Sequence, residues 1–332
     1  MIETTTYRRV VGRFVSGRGR HSVGRGTPEG PSRRRVRRAG RLAGMVTLAG
    51  ALATAAFAAA GTRAAPAPAV LRLMPNHLAG SATRARGSSP SAPSSSPCWA
   101  STNWSGYVVS EATPSGLPCL PGTGVAYSAV SGTWTVPAVT GSRGSSTYSA
   151  AWTGIDGFTN SNLIQAGTEQ DYYSGKAHYG AWWEILPAAE TPITSITVEP
   201  GDSITVSIAK VSGTQWSIAL TDNGQAGHPA QPTFTTTQTY SGTGASAEWI
   251  LEAPSVNGRT ATLASYGSTV FDKGAVNSTP PGLKAGWGGE MVTASFFRTQ
   301  VVSMPSAPDT GSPPGDGFAI AYGSQAPGAP TS

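Results

Sequence analysis

Lysine and histidine are the scarce residues of this sequence. Its 332 positions hold four lysines (Lys176, Lys210, Lys273 and Lys284) and four histidines, of which only His178 and His228 lie beyond residue 98. Two imidazoles are too few for a three-histidine zinc centre, and no H-E-x-x-H segment occurs. The absence of G-x-S-x-G argues against a serine nucleophile on a strand-to-helix elbow. Cysteine is limited to Cys98 and Cys119, and neither has the histidine and asparagine around it that thiolate catalysis needs. Each remaining histidine is better accounted for as a surface or loop residue than as a base. Also missing is any 12-residue stretch with an apolar stripe at helical spacing.

Basic charge is abundant but confined. Residues 1–98 hold 16 of the 23 Lys and Arg and only Glu3 and Glu29 of the 17 acids, which leaves 7 basic and 15 acidic groups after residue 98, a net charge of −8. The overall +6 therefore describes a leader, and a nucleic-acid function loses its support. Arginines at 33, 34, 35, 37, 38 and 41 precede an Ala-rich apolar run over 42–60 that ends in Ala58-Ala59-Ala60. That pattern predicts an export leader over 1–65 with a small-residue cleavage site. An uncleaved membrane anchor is the alternative, disfavoured because Ala and Gly stand where Leu is expected. Residues 66–97, rich in Ala, Pro and Ser, cannot bury enough apolar surface to fold alone and are expected to be a propeptide or a linker. In an exported chain the two cysteines are expected to form one disulfide, two free thiols being the alternative.

From residue 98 to 323 the pattern is that of a single all-β domain, with 324–332 as a disordered tail. Short alternating runs of Thr, Val, Ile, Tyr and Trp are separated by Gly, Ser, Asn, Asp and Pro. They predict strands over 103–109, 126–136, 148–154, 163–168, 179–186, 193–199, 203–211, 216–221, 233–237, 247–251, 261–266, 291–302 and 317–322. So many strands with hairpin-scale connections point to a sandwich of two antiparallel sheets. The scarcity of lysine implies few carboxylates whose pairing is lost on protonation, which suits an acid environment.

One motif misleads. Asp309-Thr310-Gly311-Ser312 matches the loop of pepsin-like enzymes, but that chemistry needs two aspartates sharing a proton, and no second Asp-Thr/Ser-Gly is present. A loop is expected there. Five other segments carry more: Asn103-Trp-Ser-Gly-Tyr-Val108, Ala151-Trp-Thr-Gly-Ile-Asp-Gly157, Leu163-Ile-Gln-Ala-Gly167, Ala181-Trp-Trp-Glu184 and Ala247-Glu-Trp-Ile-Leu-Glu252. Strand parity puts Trp152 with Asp156 if the strand continues that far, Trp182 with Glu184, Gln165 with Leu163, and Glu248 with Ile250 and Glu252. Any one segment is explained by tryptophans in the core and acids on its rim. Five together indicate a groove lined by tryptophans, carboxylates and an amide.

In this order and spacing the segments resemble the glutamic peptidases, or eqolisins, over roughly residues 103–322. The resemblance implies two seven-stranded antiparallel sheets with a substrate groove on one of them. It implies Gln165 and Glu248 as the catalytic pair, from Leu163-Ile-Gln-Ala-Gly167 and Ala247-Glu-Trp-Ile250, and Trp104, Trp152, Asp156, Trp182 and Glu184 as groove residues. Trp249 stands where the family has an aromatic of different shape, and residues 117–123, with Cys119, have no evident counterpart.

Elementary chemistry agrees with that pair. Amide hydrolysis needs a base for water, a donor to the oxyanion and an acid for the leaving nitrogen. Glu248 can serve as base and then acid, and Gln165, which has no titratable proton, can hold the water and donate to the oxyanion. Asp156 and Glu184 are expected to face each other and share a proton in acid. The expected protein is a secreted, monomeric acid endopeptidase acting on polypeptides, with no metal, cofactor, nucleic acid or lasting membrane association. A sandwich glycoside hydrolase using Glu184 and Glu248 is the second reading, and a non-catalytic carbohydrate-binding module the third.

Overall fold

Alternation along the strands decides how this chain packs. The structure, a computed structural model, describes residues 97–294 and 299–331 together with the backbone of 82–84; the expected leader and most of the expected propeptide lie outside the described residues. The strands are β1 (Trp99–Ser101), β2 (Trp104–Ser110), β3 (Ala129–Thr135), β4 (Ala150–Ile155), β5 (Ile164–Tyr173), β6 (Lys176–Ile185) and β7 (Thr191–Pro192). They continue as β8 (Ser203–Ser212), β9 (Gln215–Asp222), β10 (Phe234–Thr239), β11 (Ser246–Glu252), β12 (Ser268–Val276), β13 (Gly289–Ala294), β14 (Thr299–Pro308) and β15 (Phe318–Tyr322). No helix occurs among the described residues, so none there is long and apolar enough to cross a membrane.

Hydrogen bonding runs without a break in the order β10-β9-β8-β3-β12-β15-β14-β13-β2-β11-β4-β5-β6-β7. Neighbours on this path are antiparallel, and only β1 joins in parallel, on β13. The path folds back on itself: β3 packs against β4 and β11, and β8 packs against β4 and β5. The result is the expected sandwich.

Parity then sorts the side chains. Ala247, Trp249 and Leu251 of β11 turn inward and meet Val206, Ile208, Ile218, Leu220 and Phe271 of the opposite layer. Burying one such side chain contributes about 1.5–3 kcal/mol. Trp249 is accommodated because its indole N–H donates to the Ser131 carbonyl at 2.8 Å. The other face of the β2-β11-β4-β5-β6 layer carries a second cluster, with Trp104, Val108, Trp152, Trp182 and Ile250 packed among Cys98, Trp99, Leu117 and Leu120. Residues 117–123 thus belong to an apolar cap on that face, tied down by a Cys98–Cys119 disulfide with Cα atoms 5.7 Å apart.

Several expected strands differ. Residues 193–199 are rich in β-branched residues, and Ile193, Ile196 and Val198 are buried, yet the backbone forms no ladder there. Residues 261–266 make only isolated bridges, Tyr148 to Leu263 and Thr140 to Ser265. The run over 291–302 is two strands, β13 and β14, paired with each other. Strand β12 was not expected; its alternation is broken by a bulge between Asp272 and Ala275, where Lys273 is left-handed at φ 52°.

Candidate active site

Registration across five strands builds the site. Val108, Glu248, Gly154, Gln165 and Glu184 are successive cross-strand partners, so they form one row on the outer face of the layer. Two residues along, Gly106, Ile250, Trp152, Gly167 and Trp182 form the next row. Trp104 lies a further step away, opposite Glu252. Of the sequence-derived candidates, the structure therefore brings Gln165, Glu248, Glu184, Trp104, Trp152 and Trp182 onto one face.

Glycine makes the spacing of the rows possible. A Cβ on Gly167 would come within 2.4 Å of the Ala151 carbonyl oxygen and 2.5 Å of the Trp152 Cβ, so only glycine allows the ring of Trp152 to sit there. Trp152 meets Trp104 edge to face, with centroids 4.9 Å apart, and its indole N–H donates to Glu252 Oε2 at 2.8 Å. Gly154 leaves the space between Glu248 and Gln165 without a side chain. Neighbouring strands are about 4.8 Å apart, so the Cα atoms of that pair are separated by roughly 10 Å, room for a water and a peptide group.

The carboxylates divide by what holds them. Glu184 Oε2 accepts a 2.8 Å hydrogen bond from Gln165 Nε2, which fixes the amide's orientation. Glu252 receives Trp152, as above, and also Asn103 Nδ2 at 3.5 Å. Glu248 is fully buried, and among the described residues neither of its oxygens has a hydrogen-bond partner. Burial pushes its carboxyl well above the usual range; the nearby Ser246 hydroxyl opposes this and the charge of Asp156 adds to it. A buried polar group with no scaffold partner is rare and calls for a functional reason.

Asp156 departs from expectation. Strand β4 ends at Ile155, and Asp156 takes a left-handed conformation at φ 70°, which aspartate tolerates better than most residues. Its carboxylate does not pair with Glu184. It accepts instead from Tyr240 Oη at 2.6 Å, Gly244 N at 3.0 Å, Ala245 N at 2.7 Å and Asn160 Nδ2 at 2.8 Å. Asp156 thus anchors the loop that delivers β11, and Glu184 is engaged with Gln165. Sequence reasoning left out Ser246 and Tyr240, and gave Gly154 and Glu252 no role of their own. Ser246 shares the parity of Glu248, a signal that was there to use; Tyr240 had none.

Asp309 is a loop organiser as expected, its carboxylate accepting from the backbone N–H groups of Gly315, Asp316 and Gly317 at 2.9–3.1 Å. Asp202, Asp222 and His228 could offer ligand atoms within 4.8 Å of one another to a metal. Their oxygens, however, already accept from Glu199 N, Gly224 N, Gln231 Nε2 and the His228 ring. They form an ion-pair knot at the β8–β9 layer, away from the Glu248 row.

A model of the Peptidase A4 family matches residues 102–307. The chain is similar to aspergillopepsin-2 of Aspergillus niger, 30% identical over 197 residues that cover 54% of this chain and 65% of that protein. It is also similar to scytalidopepsin B of Scytalidium lignicola, 35% identical over 127 residues, 38% of this chain and 46% of that protein. The match thus spans less than two thirds of either relative's own length. A crystal structure of scytalido-glutamic peptidase with a transition state analog inhibitor aligns over 67% of this chain and 98% of that chain, at 23% identity and a TM-score of 0.49. With the family model covering well over half of the sequence, the chain belongs to the Peptidase A4 family, the eqolisins.

Proposed function

We propose that this chain is the precursor of an exported acid endopeptidase in which Glu248 and Gln165 hydrolyse peptide bonds through an activated water. One observation carries the proposal: a fully buried Glu248 without scaffold hydrogen bonds shares a row with a Gln165 amide held in place by Glu184, across a gap opened by Gly154. Glu184 and Glu252, by contrast, each have an oxygen committed to the scaffold.

The chemistry follows from those positions. Ionised Glu248 takes a proton from water as the water oxygen bonds to the scissile carbonyl carbon. One Gln165 N–H is engaged with Glu184, and the other donates to the carbonyl oxygen as it becomes an oxyanion. On collapse the C–N bond breaks and Glu248 passes its proton to the leaving nitrogen, regenerating the carboxylate with no covalent intermediate. Desolvation is the largest cause of the raised Glu248 carboxyl. A water and a polar peptide group at its oxygens bring it back towards its ordinary range, where one group can accept and then donate a proton in acid.

The glycosidase alternative fits less well. Glu184 and Glu248 are three strand spacings apart, about 14 Å between Cα atoms, with the Gln165 amide between them, and Glu184 Oε2 is already engaged by that amide. Export is supported by the leader pattern and by the disulfide.

The test is digestion of a denatured protein by purified material at about pH 4, near the ordinary carboxylate range, with parent, Glu248→Gln and Gln165→Ala compared. Glu248→Gln should lose about 10²–10⁴ in rate, and Gln165→Ala about 10²–10³, with folding retained. Activity should survive pepstatin, chelators, and serine- and cysteine-directed reagents. A Gln165→Ala protein with the parent's rate, or inhibition by a chelator, would sink the assignment.

A further inference from the structure

Strand β1 ends at Ser101 and is followed by Thr102, while β13, its parallel neighbour, runs on from Met291 to Thr293. Both lead to a pocket of about 400 Å³ whose walls include Thr102, Leu263, Met291, Thr293, Val302 and Tyr322. That volume lies within the range of ligand sites, about 300–1,000 Å³. Among the described residues no lining side chain is charged. Tyr322, 44% exposed, is one of the few large apolar side chains turned to solvent among them. The pocket is remote from the proposed chemistry. Ala253, in its lining, follows Glu248 by five residues, roughly 17 Å along the strand, and no residue of the Glu248 row lines it.

The edge of β1 indicates which chain is directed here. It pairs antiparallel with the backbone of 82–84, Ala82 opposite Ser101, Thr83 opposite Ala100 and Arg84 opposite Trp99. One step beyond Ala82 in the same register is the level of Thr102, in the pocket's wall. Residues 66–81 lie outside the described residues, but their sequence says what they bring. All five large apolar side chains of 66–97, Val70, Leu71, Leu73, Met74 and Leu78, fall within the stretch 70–78. In an extended chain Leu71 and Leu73 share one face and Arg72 takes the other.

A segment that cannot fold alone has no core of its own for such side chains, and an apolar surface within reach removes them from water. Reach is not limiting. At about 3.3–3.6 Å per residue, Leu78 can lie up to about 14 Å from Ala82 and Leu71 up to about 40 Å. Main-chain pairing at a sheet edge supplies affinity, and pockets for alternate side chains supply specificity. We propose that the pocket is the docking site of residues 70–78 of the same chain, with 82–84 added to the edge of β1 as a strand. Residues 66–84 then stay attached to the domain after the link over 85–97 is cut. The inference does not depend on the catalytic assignment.

The test uses the full chain carrying Glu248→Gln, so that no self-cleavage competes, with a specific protease site placed within the 85–97 link. After cleavage the N-terminal piece should co-elute with the domain in gel filtration at micromolar concentration. Hydrogen exchange should show 260–263 and 291–293 protected while it is bound. Leu71→Asp with Leu73→Asp should weaken retention by about ten- to a hundredfold. Thr262→Glu, at an exposed position in the pocket wall, should also weaken it, by setting a carboxylate against apolar side chains, and should leave the thermal unfolding of the cleaved domain unchanged. A piece that elutes apart from the domain, retention that survives both changes, or protection confined to the Glu248 row overturns the docking. A dimer that neither change disturbs overturns it too, by assigning the pocket to a second copy of the chain.

Discussion

Gln165 Nε2 donates to Glu184 Oε2 at 2.8 Å, with both residues fully buried and directly paired across β5 and β6. A carboxamide can rotate by half a turn and exchange its donor for its acceptor; a carboxylate beside the nitrogen removes that freedom. In the proposed mechanism Glu184 is thus a positioning residue for the Gln165 amide. Glu184→Gln keeps a carbonyl oxygen able to accept from Gln165 and should retain much of the parent's kcat. Glu184→Ala should lose about tenfold or more, short of the 10²–10³ typical of removing an oxyanion donor outright, with KM less affected. Rescue by glutamine is the diagnostic result. A Glu184→Gln enzyme as inactive as Glu248→Gln would instead assign Glu184 a proton-transfer role.

Gly154 sits between Glu248 and Gln165 in the same row. A Cβ there would meet the Ile164 carbonyl oxygen at 2.9 Å, Trp152 Cζ3 at 3.0 Å and Gln165 Cβ at 3.1 Å. Gly154→Ala should cost about 1–3 kcal/mol in stability as an overpacking change and should lower kcat by more than that stability loss accounts for, since it narrows the space for water. Paired measurements of kcat and thermal unfolding on the soluble fraction decide this. Near-parent kcat in a destabilised protein would mean that the glycine serves packing alone.

The divide between what the sequence made legible and what it hid follows strand physics. Parity alone was enough to place Trp182 with Glu184, and Glu248 with Ile250 and Glu252, because alternation is local. Register is not local: that Gln165 faces Glu184 across β5 and β6, or that Gly154 separates Gln165 from Glu248, depends on pairings between distant segments. Asp156 was misplaced for a conformational reason, since a left-handed residue at the end of β4 breaks the two-residue period that parity extrapolates. Residues 193–199 show the converse error. Their β-branched apolar residues report burial, and burial without a neighbouring strand makes no ladder. Strand β12 escaped notice because a bulge interrupts its period.

His228 provides an acid-side contribution to stability. Its Nδ1 lies 2.8 Å from Asp202 Oδ1 and 3.7 Å from Asp222 Oδ2, both aspartates being fully buried. The hydrogen bond to Asp202 is the main cause of a raised imidazole, with the charges of Asp202, Glu199 and Asp222 adding and desolvation opposing. A group raised on folding stabilises in full below its unfolded value of about 6.5, and that contribution is lost as pH rises through the folded value. The parent's advantage over His228→Gln in thermal unfolding should therefore be larger at about pH 5 than at about pH 8. Equal advantages at the two pH values would show that the ring acts only by packing.

Glu248 has the opposite consequence for stability. Its carboxyl is raised on folding, chiefly by burial, so between the unfolded value near 4.5 and the folded value the native chain holds a proton that the unfolded chain has released. Stability then falls as pH rises through that window, because ionisation favours the unfolded state. Glu248→Gln keeps the shape, cannot ionise and removes the penalty. The variant should therefore unfold above the parent at neutral pH, each 1 kcal/mol regained moving Tm by about 2–4 °C for a domain of this size. The two should converge below pH about 4, where the parent's carboxyl is protonated in both states. The comparison also separates catalysis from folding, since the same substitution is expected to abolish peptide hydrolysis. A Glu248→Gln protein that is inactive yet more stable at neutral pH is the signature of a carboxyl kept for chemistry at a cost to the fold. If the variant instead unfolds below the parent at neutral pH and the gap closes in acid, Glu248 is ionised in the native state and held by a partner, and its proposed role as an unpaired proton carrier fails.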